Sequence, residues 1–346
     1  MSPVKQSAPP LLSIIITCYN YERYIDECIN SALDQDYKSV EVIVVDDGST
    51  DGSWQRIQAY HDRLMAIRTE NGGALQCSLN GLKLARGEFV YFLDADDVLC
   101  ADALGSIAQH LKPENSKIQF MLMPIDSVGN QIGRGFPRLD ASGKSGQLIQ
   151  SIFERGYYDT PPTSGNIYRR DVYDKLGDLS YERAIDGVPY LLAPFLGEVI
   201  SVDKILGKYR IHNANLSSFS KLSSERMDGY ISRFSNRLDH LQQLLHSRGL
   251  SSGSEKFRSD YAYVLEMSVL SIVVSGRRPH WTLIRQYLGA VMRENYGKKR
   301  AILILFGLSI FVLPDSARRY LAVMRVDPSK ASWLRARLRQ SFSVSY

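Results

Sequence analysis

The sequence has no G-x-G-x-x-G run after any apolar segment, no C-x-x-C pair, and no apolar run long enough to cross a bilayer. Each absence removes a class of protein. Without the glycine run there is no dinucleotide fingerprint. Ser142-Gly143-Lys144-Ser145 is not a phosphate loop either, because Arg138 stands where the upstream glycine would be. The four cysteines, Cys18, Cys28, Cys77 and Cys100, lie far apart and lack the spacing of a zinc site, which fits a reduced compartment. The opening MSPVKQSAPP is too short and too polar for a secretory signal, so a cytoplasmic protein is expected. What is present is a chain of 346 residues, 44% apolar and 23% charged, enough for one or two globular domains and unlike a disordered chain.

The net charge of +5 is unevenly divided: residues 1–216 carry −7 and residues 217–346 carry +12. The acidic first part argues against a nucleic-acid groove, and no nucleic-acid partner is expected. The basic remainder could face anionic lipid, an acidic partner or water.

Along the first part, short apolar runs alternate with helical patterns. Strands are expected at Leu12 to Thr17, Val40 to Val45, Met65 to Thr69 and Glu88 to Leu93. Helices are expected at Tyr24 to Leu33, 53–60 and Leu75 to Ala85. This alternation predicts an α/β fold, a mostly parallel sheet with helices on both faces. Such sheets bind ligands at the carboxyl ends of their strands. There the chain places Cys18-Tyr19-Asn20-Tyr21-Glu22, then Asp46-Asp47-Gly48-Ser49-Thr50-Asp51, then Asp94-Ala95-Asp96-Asp97. A phosphate ligand at so acidic an edge needs a divalent cation between, which makes Mn²⁺ or Mg²⁺ the expected cofactor. The competing reading of Asp96 or Asp97 is a cap for a helix over Ala101 to Leu111.

These segments together resemble the family 2 glycosyltransferases of the GT-A fold. The resemblance spans residues 11 to about 217 and rests on SIIITCYN at Ser13 to Asn20, EVIVVDDGSTD at Glu41 to Asp51, and ARGEFVYFLDADD at Ala85 to Asp97. Ser164 to Arg170 and Tyr209 to Ser217 resemble the family's acceptor-side segments. The resemblance implies a GT-A domain at 11–217, with a nucleotide-sugar half (11–110) and an acceptor half (111–217), followed by a basic helical extension at 218–346. It implies inverting transfer of a sugar from a nucleoside-diphosphate sugar, with UDP the expected nucleotide, to a hydroxyl of a carbohydrate or glycolipid acceptor. By the same resemblance Thr17, Tyr19, Asn20 and Glu22 flank the nucleotide, Asp47 bonds the base, and Asp94, Asp96 and Asp97 form the DXD signature. Asp96, Asp97 and His212 would hold the metal, and Arg210 would contact the diphosphate.

An inverting mechanism needs a base for the acceptor proton. Asp186, in LSYERAIDGVPYLL, matches the catalytic member of the family's acidic pair, although Ile185 stands where the first acid is common; Glu182 is the second candidate. A cap for a helix at Val188 to Leu196 is the competing role for Asp186. The Q-x-x-R-W signature of processive synthases is absent, which favours single addition. Two rivals remain: a sugar nucleotidyltransferase, which would carry a glycine-rich basic loop after the first strand, and a non-catalytic nucleotide-sugar-binding or scaffold protein.

Beyond Ser217 the pattern turns helical, as at Ile231 to Leu245. Ala301 to Leu313 is strongly apolar but, at about 20 Å as a helix, falls short of a bilayer core of about 30 Å. Lys298-Lys299-Arg300 precedes it, and Arg318-Arg319, Arg325, Arg335, Arg337 and Arg339 follow. That flanking fits a peripheral anchor on the cytoplasmic face of an inner membrane, and equally a buried helix with a basic solvent face.

Overall fold

The computed structural model describes residues 8–139, 144–212, 223–250 and 257–326. Ser142, Gly143, Asn213 to Ser217, Arg335, Arg337 and Arg339 lie outside the described residues. The chain divides into two compact units, one built on residues 1–150, 157–213 and 243–252, the other on 151–156, 214–242 and 253–346.

The first unit opens with β1 (Leu12–Cys18), α1 (Ile25–Leu33), β2 (Val40–Asp46), α2 (Ser53–Gln58), β3 (Met65–Arg68), α3 (Gly73–Leu84) and β4 (Phe89–Asp94). Strand periodicity sends Leu12, Ile14, Ile16 and Cys18 to one face, where they share a core with Ile25, Cys28, Ile29 and Ala32 of α1. Ile15 and Val45 face α3. A Cβ at Gly81 of that helix would stand 2.4 Å from Ile15 Cγ2 and 3.2 Å from Val45 Cγ2. The missing side chain is therefore what lets α3 lie against the sheet. Gly81→Ala gains about 1 kcal/mol of helix propensity but overpacks a rigid core at about 1–3 kcal/mol. We expect a net loss of stability, read as a lower denaturant midpoint with an unchanged slope; an unchanged or higher midpoint would show that the helix shifts freely.

β5 (Val98–Leu99), α4 (Ala103–Ala108), β6 (Asn115–Ile125), α5 (Ser145–Arg155), β7 (Asn166–Arg169), α6 (Pro189–Leu196) and β8 (Glu198–Arg210) follow. The sheet order is β3-β2-β1-β4-β7-β6-β8-β5. The first four strands are parallel, as their βαβ rhythm predicts. The rest is mixed: β4/β7, β6/β7 and β5/β8 are antiparallel and β6/β8 parallel. Two registers place the site. Cys18 lies beside Asp46 and Thr17 beside Asp94, so three strand ends meet at one edge. Val98 pairs with Lys208 and Leu99 with Gly207, which lays the acidic turn after β4 alongside the end of β8.

The second unit is helical and includes most of α7 (Ser224–Ser247), with α8 (Ala262–Val274), α9 (Trp281–Arg293), α10 (Arg300–Val312) and α11 (Asp315–Val326). Its core draws Val269, Ile284, Tyr287, Phe306 and Ile310 together. No helix among the described residues is long and apolar enough to cross a membrane.

Candidate active site

The acidic turn begins where β4 ends. The Asp97 N–H donates to Asp94 O at 2.9 Å, and the chain then enters β5 rather than a helix. Helix α4 starts later, at Ala103, with no side-chain cap. Asp96 and Asp97 are therefore not helix caps. Their carboxylates turn toward the end of β8: Asp97 Oδ1 accepts the Arg210 N–H at 2.8 Å, and Asp96 Oδ2 lies 2.9 Å from His212 Nε2. Asp97 is 1% exposed and its Oδ2 is buried with no hydrogen-bond partner. Burial, then the charges of Asp96 and Asp94, push the Asp97 pKa well above the carboxylate range. Burial also raises Asp96, opposed by His212. Asp94 is pushed up to about 7 by burial and then by the charges of Asp96 and Asp186. Three carboxylates in four residues thus repel one another in a poorly solvated turn, an arrangement that a cation would relieve.

Arg210 is 1% exposed and sits behind the turn. Its Nε donates to Asp96 O at 2.8 Å, Nη1 to Asp126 O at 3.3 Å, and Nη2 to Glu27 Oε2 at 2.6 Å, while the guanidinium lies 4.8 Å from the Tyr24 ring centroid. Arg210 is the residue expected at the diphosphate. The side chain holds the acidic turn against α1 and is turned away from solvent.

The residues expected to flank a nucleotide lie at the ends of β1 and β2. Thr17 is half-buried beside Asp94, and Tyr19 is 45% exposed at the edge. Asn20 takes a positive φ of 60°, a conformation asparagine tolerates better than most residues, and its Oδ1 accepts the Thr50 N–H at 2.8 Å. Glu22 accepts the Gly52 N–H. Asp51 in turn accepts the Glu22 N–H at 3.1 Å. These bonds lace the two loops into one rim. Asp47, expected at the base, is 3% exposed. Its oxygens accept the Gly72 and Gly73 N–H groups at 2.9 Å each, anchoring the start of α3.

Asp186 lies in the segment just before α6. Its Oδ2 accepts the Thr163 hydroxyl at 3.2 Å, while the next residue, Ser164, accepts the Asp94 N–H at 3.1 Å through Oγ. Two consecutive residues thus tie the end of β4 to Asp186. Helix α6 begins at Pro189 with no side-chain cap, so the capping role for Asp186 is not found; only its carbonyl accepts the Tyr190 N–H. Glu182 and Ile185 are buried. Beneath this segment lies Lys117 on β6, fully buried. Its ammonium donates to Gln119 Oε1 (2.9 Å), Thr160 Oγ1 (2.7 Å) and Tyr158 OH (3.2 Å), three neutral acceptors for three protons. Burial lowers its pKa, and the Asp186 charge acts in the opposite sense.

The model of Glycosyl transferase family 2 matches residues 13–177. An uncharacterized glycosyltransferase of Nostoc sp. (strain PCC 7120) is 31% identical over 266 residues, covering 71% of this chain and 82% of that protein. The chain belongs to glycosyl transferase family 2. The poly(ribitol-phosphate) beta-N-acetylglucosaminyltransferase TarS of Staphylococcus aureus is 36% identical over 163 residues, 45% of this chain and 27% of TarS. The glycosyltransferase GlyA of Streptococcus pneumoniae is 25% identical over 323 residues, 85% of this chain and 43% of GlyA. The chain thus spans less than half of those two relatives. Crystal structures of TarS share the fold: its residues 1–349 in complex with UDP-GlcNAc give a TM-score of 0.51 at 19% identity, covering 93% of this chain and 92% of that one.

Against the family 2 frame, the expected residues fall into two groups. Thr17, Tyr19, Asn20, Glu22, Asp94, Asp96, Asp97, Asp186 and His212 line or adjoin one sheet edge, whereas Asp47 and Arg210 have turned inward onto protein partners. Thr163, Glu27 and Lys117 complete the arrangement, and no motif announced Glu27 or Lys117. Thr163 had one indirect signal, its place immediately before Ser164-Gly165-Asn166.

Proposed function

We propose that this family 2 member is an inverting glycosyltransferase that moves one sugar from a UDP-sugar to a hydroxyl of a carbohydrate or glycolipid acceptor, in cell-surface glycan synthesis. Residues 11–217 would form the transferase domain and 218–346 an appended region. The observation that carries this reading is the Asp94-Ser164-Thr163-Asp186 connection, which sets one carboxylate across from the acidic turn. Support for the donor comes from the likeness to TarS, an N-acetylglucosaminyltransferase solved with UDP-GlcNAc. A cytoplasmic site of action goes with such a donor.

The residues then divide the work. The acceptor hydroxyl loses its proton to Asp186, its oxygen attacks the anomeric carbon, and the bond from that carbon to the diphosphate oxygen breaks with the electron pair leaving on the nucleotide. Attack from the face opposite the leaving group inverts the configuration. Thr163 orients Asp186 by occupying one of its oxygens. Tyr19 offers an exposed ring at the nucleotide rim.

The residues also fit a divalent cation. The orphaned Asp97 Oδ2 is an acceptor in want of a partner, and Asp96 and His212 stand beside it. Among the described residues no three His, Cys, Asp or Glu side chains converge as a ready-made cage. That suits Mn²⁺ or Mg²⁺ held by one or two protein ligands and completed by phosphate oxygens and water. Bound there, the ion would supply charge stabilisation for the departing diphosphate.

Calorimetry with UDP, GDP, CDP and dTDP, each with and without Mn²⁺, tests the reading. UDP should bind, and only with metal. A preference for GDP would reassign the donor. Metal-independent binding would remove the cation, and no binding by folded protein would remove the transferase pocket.

A further inference from the structure

Helix α10 is apolar around its whole circumference: after Arg300, its residues to Val312 include no charged side chain, and Ser309 is the one polar residue. Such a helix belongs in a core or against lipid. Here it is half of each. Leu303, Phe306, Gly307 and Ile310 are buried in the helical unit, and at Gly307 the helix comes so close to α9 that a Cβ would stand 2.9 Å from the Tyr287 ring. The opposite face is open: Ile302 is 67% exposed, Leu305 63%, Leu308 39% and Val312 71%. At about 100° per residue these four fall within about 120° of the helical wheel, forming a single stripe along the helix.

The rim of the stripe has one sign. Lys298 and Lys299 are exposed at its start. At its end Arg278 donates to Phe311 O at 3.0 Å, and Trp281, 44% exposed, packs on the Phe311 ring at 5.0 Å between centroids. Every acid between 257 and 326 already has a basic partner: Asp260 has Arg293, Glu266 has Arg325, Glu294 has Arg258, and Asp315 has Arg318. Among the described residues, Arg278, Arg285, Lys298, Lys299 and Arg319 face no carboxylate at ion-pair distance. Arg318 also donates to Ile310 O and Leu313 O, so the last turn of α10 needs no water to satisfy these carbonyls.

We propose that this face of α10 docks on a bilayer carrying anionic headgroups. An apolar stripe bordered by cations, with an indole at one end, matches a helix lying in the headgroup plane, its stripe toward the acyl chains and its rim toward phosphates. Charge argues against other occupants. A second copy would bring the same positive rim, and residues 327–346 add Lys330, Arg335, Arg337 and Arg339 against Asp327 alone.

The test uses the full chain and vesicles of equal parts phosphatidylglycerol and phosphatidylcholine, with pure phosphatidylcholine as the comparison. Wild type should co-sediment with the anionic vesicles, release in high salt, and ignore the neutral ones. Leu305→Glu/Val312→Glu and Lys298→Glu/Lys299→Glu should each weaken binding roughly tenfold or more. Both pairs change exposed side chains, and a thermal melt within a few degrees of wild type, on the order expected for surface changes, confirms that they fold. A blue shift of indole emission on binding, absent in Trp281→Phe, would place the contact at the end of α10. Asp186→Asn should bind vesicles like wild type, separating this surface from the transfer site. The proposal fails if folded wild type ignores anionic vesicles, or if Leu305→Glu/Val312→Glu binds as tightly as wild type. It also fails if sedimentation shows a wild-type dimer that this variant dissolves, since the face would then belong to a second copy.

Discussion

Asp186→Asn is expected to slow sugar transfer by about 10²–10⁴-fold, the usual contribution of a positioned acid or base, while leaving UDP affinity within about twofold of wild type. The amide keeps the shape and can still pair with the Thr163 hydroxyl, so the fold and the bound donor should be undisturbed. What it cannot do is take the acceptor proton. Nucleoside-diphosphate release measured with and without acceptor, beside calorimetry on the same preparation, separates the two effects. Loss of donor binding in Asp186→Asn would make this residue part of the donor pocket. Unaltered turnover would move the base to Glu182 or elsewhere.

The second large effect is the converse. Asp96→Ala should abolish the metal-dependent part of UDP binding, a loss of roughly 10²-fold or more, because an ion bridging protein and phosphate contributes several kcal/mol. The substitution also removes one of three mutually repelling carboxylates, whose burial already pushes their pKa values upward. Stability without metal should therefore hold or rise even as donor binding disappears. That opposition is diagnostic, since a residue kept for the fold alone would lower both. Calorimetry with Mn²⁺ and thermal melts in chelator give the two readings. Retained metal-dependent binding in Asp96→Ala would overturn the assignment of Asp96 as a ligand.

The motifs around Arg210 and Asp47 carry no sign of the protein partners these two residues take. Both stand in segments whose pattern was legible, and both belong to the sheet edge where ligands were expected. Their side chains nonetheless turn onto protein: Arg210 onto Glu27 and two carbonyls, Asp47 onto the amides that open α3. A motif names a position along the chain, and two or three competing acceptors nearby decide the direction a side chain takes. Lys117 is the reverse case. No motif marks this lysine, yet β6 is covered on both faces, and the charge is buried among tyrosines.

By itself the sequence determined the parts that depend on near neighbours. The β-branched runs of β1 and β2, the helical spacing of α1 and α3, and the acidic tetrapeptide Asp94-Ala95-Asp96-Asp97 at the end of β4 are local patterns, and each was found within a few residues of its predicted place. It also determined that α10 would be too short to span a bilayer. The tertiary structure alone decided which long-range partners meet. The Arg210 N–H reaches Asp97 across 113 residues, His212 reaches Asp96 across 116, and each of these contacts exists because β8 pairs antiparallel with the two-residue strand β5. That pairing is a matter of register between distant strands, selected by burial of the whole sheet, and no window along the chain contains it. The exposed face of α10 was decided in the same way, since only the packing of its other side against α9 fixes which half of an all-apolar helix is left outside.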